Sequence, residues 1–347
     1  MRIWNIQPAA AIVALAISLP IFGADAQSVS SVAELRRAIQ SARPGATVSI
    51  APGTYDIGTT PLRIEDKRSV RIIGAGAGKT TIRASASAPF IFELAGSNDN
   101  LEVAGMTLMG ASRLTKNTHA LASGSDRMNL TRVRFHDLDI RNVAVGISVV
   151  GSGSGYCDDV RITSNTLSNI QDVVRPSGVT SGSGYGIHND GCSNVRITGN
   201  TIRNADRHSI YQASAYQPGR PAASGSIVID GNTIIDHGKT SSLANEWQVA
   251  LVVARSSNVV VSRNEIIDPN FDAISIEDPS GERRDYAVRN VSLIDNTVRG
   301  ARTAHIFLTA AGTFTSRGNR FYHGNAASSP IIRRDGKGRS GRLSSEL

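Results

Sequence analysis

Val195-Arg-Ile-Thr-Gly-Asn200-Thr-Ile202 decides the fold, because the chain keeps repeating it. Close copies are Val160-Arg-Ile-Thr-Ser-Asn165-Thr-Leu167 and Ile227-Val-Ile-Asp-Gly-Asn232-Thr-Ile234. Further copies are Val259-Val-Val-Ser-Arg-Asn264-Glu-Ile266 and Val291-Ser-Leu-Ile-Asp-Asn296-Thr-Val298. The Asn-to-Asn spacings are 35, 32, 32 and 32 residues, and a weaker copy at Asn319 follows after 23. Upstream, Val103-Ala-Gly-Met106-Thr-Leu108 and Leu130-Thr-Arg-Val133-Arg-Phe135 share the phrase without its Asn. A fixed period of this length calls for a stacked-repeat architecture.

Within each phrase apolar and polar residues alternate, which is the period of a short strand. Gly, Asn and β-branched residues at every copy argue against a helical solenoid. One unit cannot bury its own apolar face, but stacked units can. The recurrent Asn suits a tight turn through its tolerance of left-handed backbone. Identical Asn side chains can also hydrogen-bond along the stack. A second strand precedes each phrase: Gly146-Ile-Ser-Val149, Gly186-Ile-His-Asn189, Ser209-Ile-Tyr-Gln212, Ala250-Leu-Val-Val253, Ala273-Ile-Ser-Ile276 and His305-Ile-Phe-Leu308. With the run after each Asn, these make a three-sided parallel coil. The chain therefore resembles the right-handed parallel β-helices of the pectate-lyase-like superfamily, an all-β fold.

The ends fit such a coil. Ser31-Val-Ala-Glu34 reads as a capping box, and Val32, Leu35 and Ile39 share one helical face. An N-terminal capping helix is expected there, ended by Pro44-Gly45. Arg2, the apolar run Pro8–Phe22 and Ala24-Asp-Ala26 describe a secretory signal peptide. The organisation expected is a signal over 1–26, a β-helix domain over 27–332 and a flexible basic tail over 333–347. A secreted or periplasmic monomer without a membrane span follows.

The chain has 347 residues and a formal net charge of +8, with hydrophobic residues at 40% and aromatics at 5%. This apolar content excludes wholesale disorder. From Ala301 onward eight Arg or Lys face two acids, so most of the basic excess lies in the last coil and tail. An acidic polymer is the partner such a balance suits. Cys157 and Cys192 each lie three residues before the first Val of a phrase, and their separation of 35 equals the local repeat. Equivalent positions in adjacent coils lie roughly 4.8 Å apart, so a disulfide is expected. Gly74-Ala-Gly-Ala-Gly-Lys79-Thr80 fails both nucleotide-loop patterns, since Ile73 and Lys79 stand where glycines are needed. No nucleic-acid signature, cofactor motif or metal motif appears.

If the Ile column points inward, the outward column reads Ser148, His188, Tyr211, Val252, Ser275, Phe307. His188 and Tyr211 then neighbour each other, Asp190 shares the face, and Arg207 and His208 lead into the Tyr211 strand. The resemblance implies a polysaccharide-active enzyme, often a lyase acting on uronates. Such elimination removes a proton α to a carboxylate and expels the 4-linked oxygen. It needs a carboxylate neutraliser, a proton acceptor and a proton donor. His188, Tyr211, Arg207 and His208 are the catalytic candidates. A Tyr, with pKa ~10, needs a neighbouring His or Arg to act as base. Insertions at 172–184, 212–224, 239–246 and 278–286 could wall a groove. Substrate-binding candidates are Tyr185, Asp190, Arg203, Arg220, Lys239, Trp247, Arg255 and Glu277. For these, ordinary surface charge or a packing anchor is the competing reading. Tyr185-Gly-Ile-His188-Asn-Asp190 also looks like the strand that carries the catalytic His in mannuronan epimerases. A C5-epimerase is thus a second reading, and a non-catalytic glycan-binding or envelope-assembly β-helix a third. Alginate or another glycuronan is the expected polymer of the leading reading.

Overall fold

The computed structural model describes residues 28–123, 128–151, 156–173, 182–213, 225–238, 248–277, 288–308, 313–323, 332–334 and 342–345. The expected signal segment lies outside them. The first element is the helix Val32–Ser41. Ser31 Oγ accepts from Glu34 N at 3.2 Å, while the Glu34 carboxylate accepts from Ser30 N at 2.9 Å. The reciprocal arm of the cap thus lands on Ser30. Leu35 and Ile39 are buried in the core and Val32 packs against it. At the other end Lys67 Nζ donates to Gln40 O at 2.8 Å, a cation placed where the helix leaves carbonyls unpaired.

Every strand pairing among the described residues is parallel, and the chain forms a right-handed parallel β-helix with three faces per coil. One face is a ten-strand sheet that includes Val145–Val150, Tyr185–Asp190, His208–Ala213, Val249–Ala254 and Asp272–Glu277. The other two faces merge into one larger sheet, because Asn129–Val143 continues round the corner between them. Leu121, Ile147, Ile187, Ile210, Leu251, Ile274 and Ile306 stand in one register column. All seven are buried, and each such side chain contributes roughly 1.5–3 kcal/mol of burial. The outward column read from sequence stands in register: Ser148 opposite His188, then Tyr211, Val252, Ser275 and Phe307.

The repeated Asn residues form a continuous buried ladder. Nδ2 of Asn165, Asn200, Asn232, Asn264 and Asn296 each donates to Oδ1 of the next Asn at 2.9–3.0 Å. The same Oδ1 atoms accept the backbone N–H of the preceding Asn. At the head, Asn165 Oδ1 accepts from Leu138 N. At the foot, Asn319 Nδ2 donates to Ser316 Oγ at 2.9 Å instead of to another Asn. One expectation is corrected. The positive-φ residue of each turn is the one before the Asn: Ser164, Gly199, Gly231, Arg263, Asp295 and Gly318. The Asn is selected by its amide, which satisfies buried backbone groups, rather than by left-handed tolerance.

Cys157 and Cys192 are disulfide-bonded, with Cα atoms 4.5 Å apart. They join adjacent coils at the corner between the ten-strand sheet and the larger one. The tail expected from residue 333 is corrected in part. Ile332–Arg334 pairs with Ile306–Leu308, and Arg342–Ser345 pairs with Thr313–Ser316. Parallel pairing uses backbone groups, so apolar-poor segments can still add strands. Among the described residues no helix is long and apolar enough to cross a membrane.

Candidate functional site

Four rings from adjacent coils meet on the outer side of the ten-strand sheet. His188 and Tyr211 are register partners, and so are Tyr185 and His208. Their ring centres are mutually close: Tyr185–His188 5.1 Å, Tyr185–His208 5.3 Å, Tyr185–Tyr211 5.6 Å, His188–Tyr211 5.3 Å and His208–Tyr211 5.3 Å. The Arg207 guanidinium lies over the Tyr185 ring, 5.4 Å from its centre, a cation–π distance. Gly184 makes this approach feasible. Its φ is +93°, and a Cβ there would come within 3.0 Å of Arg207 N. Its carbonyl accepts from Arg207 N at 3.0 Å, which seats the strand start.

The cluster is electrically quiet. Burial pushes the His188 imidazole down to about 4, with nearby His119 adding to the effect. Burial likewise holds His208 well below its ordinary value. His208 Nδ1 lies 3.0 Å from Val249 O. A carbonyl only accepts, so Nδ1 carries the proton and Nε2 the lone pair. His188 Nδ1 sits 3.2 Å from Ser148 Oγ, which can orient either tautomer. Tyr211 is pushed up to about 12 by burial, against the pull of Arg255. Of the acid and base roles open to Tyr211, this favours the acid. A phenol held that high keeps its proton and suits the donor role, which leaves neutral imidazole as the acceptor.

Beyond the rings lies a carboxyl side. Asp190, Ala213, Ala254 and Glu277 form the next column outward. Burial raises Asp190, and Arg255 counters it. Asp190 Oδ1 and Arg255 Nε are both buried without a hydrogen-bond partner among the described residues. Burial also raises Glu277, against a hydrogen bond from Ser275 Oγ. Such unmet polar atoms beside a ring cluster are where polar groups of a ligand would be held.

Tyr185, His188, Arg207, His208 and Tyr211 are thus brought together, with Asp190, Arg255 and Glu277 along the same face. Arg203 is not. It lies exposed in Thr201–Ala205 of the larger sheet, paired with Ser168 and Ile235. Arg220, Lys239 and Trp247 lie outside the described residues, as do most of the four insertions. Sequence reading missed His119, whose ring packs tilted against Phe90 at 5.3 Å and is pushed down to about 4 by burial. The signal was there: Leu121 precedes Ile147 in the inner column, which puts His119 beside Val145, the partner of Tyr185. Among the described residues no group of three or more His, Cys, Asp or Glu converges as metal ligands do.

Residues 111–334 match the family described as "Right handed beta helix region". No curated protein matches the sequence. Solved structures share the fold. An alginate lyase from Paenibacillus sp. str. FPU-7 superposes with TM-score 0.63 at 17% identity, covering 86% of this chain and 97% of that one. The catalytic domain of an α-1,3-glucanase in complex with nigerose gives 0.51 at 15% identity, covering 98% and 69%. The A-module of a mannuronan C-5 epimerase from Azotobacter vinelandii gives 0.46 at 14%, covering 92% and 91%. At these identities the likeness to the alginate lyase and the α-1,3-glucanase is one of fold.

Proposed function

The chain belongs to the right-handed β-helix family, and we propose that it is an exported enzyme that cleaves a uronate-containing polysaccharide by β-elimination. The observation that carries this reading is the contact cluster of Tyr185, His188, His208 and Tyr211 with Arg207 seated on it. Residues 1–26 would direct export, and alginate or another glycuronan would be the polymer. The fold shared with an alginate lyase over nearly its whole length is compatible with this reading.

Elimination requires that the C5–H bond break, that a C4–C5 double bond form and that the C4–O bond break. Neutral His188 takes the C5 proton. Tyr211 gives its proton to the leaving oxygen and is reprotonated from solvent. Arg207 faces the sugar carboxylate and stabilises the enolate-like charge that develops there. Arg255 and Asp190 hold a neighbouring ring through its hydroxyls or carboxylate. His208, with its tautomer set by Val249 O, keeps Tyr211 and Tyr185 in place.

The test incubates pure protein with a panel of uronate polymers and follows ultraviolet absorbance of unsaturated chain ends. A rise on one polymer, lost in Tyr211→Phe, is expected. C5 proton exchange without chain cleavage would replace the lyase by an epimerase. Binding with neither reaction would leave a non-catalytic glycan-binding protein.

A further inference from the structure

The repeat phrase that builds the coil carries a charge its architecture does not need. Arg134, Arg161 and Arg196 occupy the same position of the phrase in three successive coils and are direct register partners. All three are exposed, each between two fully buried neighbours: Val133 and Phe135, Val160 and Ile162, Val195 and Ile197. Adjacent strands are ~4.8 Å apart, so three guanidinium groups stand in a row along the helix axis. They lie on the larger sheet, round the corner from the ring cluster. Like charges placed directly opposite destabilise a sheet. The same column shows the ordinary solution one rung earlier, where Arg71 faces Glu102 in a two-point ion pair at 3.0 and 3.1 Å. Glu102 is also the register partner of Arg134, but its carboxylate is held by Arg71. Within ion-pair distance among the described residues only Arg161 of the row has an acidic partner, Asp159 at 3.2 Å. Beyond Arg196 the column changes to Val228 and Val260. The disulfide holds the row together: Cys157 and Cys192 each precede an arginine of the row by four residues on the same strand run.

We propose that Arg134, Arg161 and Arg196 form a second, non-catalytic binding site for an extended carboxylated polysaccharide lying parallel to the coil axis. A chain bearing one carboxylate per sugar ring repeats its charge at about the spacing of the coils. Guanidinium groups pair with carboxylates through two parallel hydrogen bonds. A nucleic-acid duplex fits less well, since each strand places a charge every ~3.4 Å and winds away from a straight row. The polymer class is shared with the proposed function, but the row itself does not depend on turnover.

The experiment measures retardation in native gels containing polygalacturonate, alginate or neutral dextran, with Tyr211→Phe as the background to prevent turnover. The variant Arg134→Ser/Arg161→Ser/Arg196→Ser is compared with Arg37→Ser/Arg43→Ser/Arg289→Ser, which removes the same net charge elsewhere. The row variant should lose about tenfold or more in affinity for a carboxylated polymer, and the loss should shrink as salt rises. The control triple should stay within about twofold, and dextran should retard none of them. Equal losses in both triples, or none in the row variant, would overturn the site. So would tighter binding of single-stranded DNA than of either polyuronate through the same row. Thermal melts of the row variant should match or exceed the parent, which excludes misfolding as the cause. Row-dependent retardation, with no turnover of any polymer by the unmutated chain in the ultraviolet assay, would retain this site and reject the lyase. Turnover without row-dependent retardation would do the reverse.

Discussion

His188 and Tyr211 face each other from adjacent coils, edge to face, with ring centres 5.3 Å apart and planes at 62°. Their backbones are paired in register, so the contact is built into the stacking of the coils. Replacing Tyr211 by Phe preserves the ring packing and deletes only the proton. kcat on the cleaved polymer should fall by ~10²–10⁴-fold, the usual share of one acid or base, with the melting temperature almost unchanged. His188→Gln should lose a similar factor. Steady-state kinetics with a parallel melt checks both, and full activity in Tyr211→Phe would remove it from the mechanism.

The pH–rate profile should be unusually broad. Neutral His188 accepts the proton, and its value is pushed down to about 4. Tyr211 donates, and its value is pushed up to about 12. The acid limb of kcat/KM should therefore fall well below the ~6.5 of an ordinary imidazole. Asp190 and Glu277 are raised and also titrate on that side, so Asp190→Asn should be profiled alongside. An inflection at the ordinary imidazole value would contradict a buried neutral His188.

Acid should weaken the fold through the same histidines. A group whose folded value is depressed binds fewer protons folded than unfolded. Stability therefore falls as pH drops below the unfolded value of ~6.5. His119, held at about 4, should account for about 2–3 kcal/mol lost between pH 7 and 4.5. The raised carboxyls of Asp190 and Glu277 act with the opposite sign and soften the slope. Denaturant melts of the parent and His119→Gln at the two pH values measure the difference, which the variant should lack.

Asn232 is the middle rung of the ladder. It accepts from Asn200 N and Nδ2 and donates to Ile197 O and Asn264 Oδ1. Asn232→Leu removes the partner of Asn200 N and the amide that satisfies Ile197 O, while Asn264 Oδ1 keeps Asn232 N and Asn200 Nδ2 keeps Ile162 O. Each orphan costs ~1–3 kcal/mol, so a loss of several kcal/mol is expected, against a small loss for a surface change such as Thr233→Ser. Urea melts distinguish the two.

Opening the disulfide should be milder and independent of chemistry. Its loop closes 35 residues, for which chain entropy gives ~3–4 kcal/mol. Cys157→Ser/Cys192→Ser should melt lower yet retain activity per folded molecule.

Much of this was legible in the repeats. The Asn spacing and the Ile column gave the coil, and the column in turn placed His188 beside Tyr211 and Cys157 beside Cys192. The errors have physical causes. The left-handed residue was misplaced by one, because Asn is used here for its side-chain amide while its predecessor makes the turn. The direction of the Tyr211 shift was not legible, because ring packing from two coils buries the phenol more than Arg255 relieves it. The added strands at Ile332–Arg334 and Arg342–Ser345 were missed because backbone pairing leaves no apolar pattern. Arg203 was grouped by chain proximity to His208, although a corner of the coil separates their sheets.

The ladder also has a direction and two ends. Every amide donates toward the C-terminal coil, Leu138 N supplies the first donor, and Ser316 Oγ absorbs the last. Any interior coil therefore presents the same acceptor upward and the same donor downward. A whole coil could be duplicated or excised between Asn200 and Asn296 without leaving an unmatched amide, whereas a cut at either terminus would. As far as the ladder is concerned, the interior turns are equivalent units between two dedicated terminators.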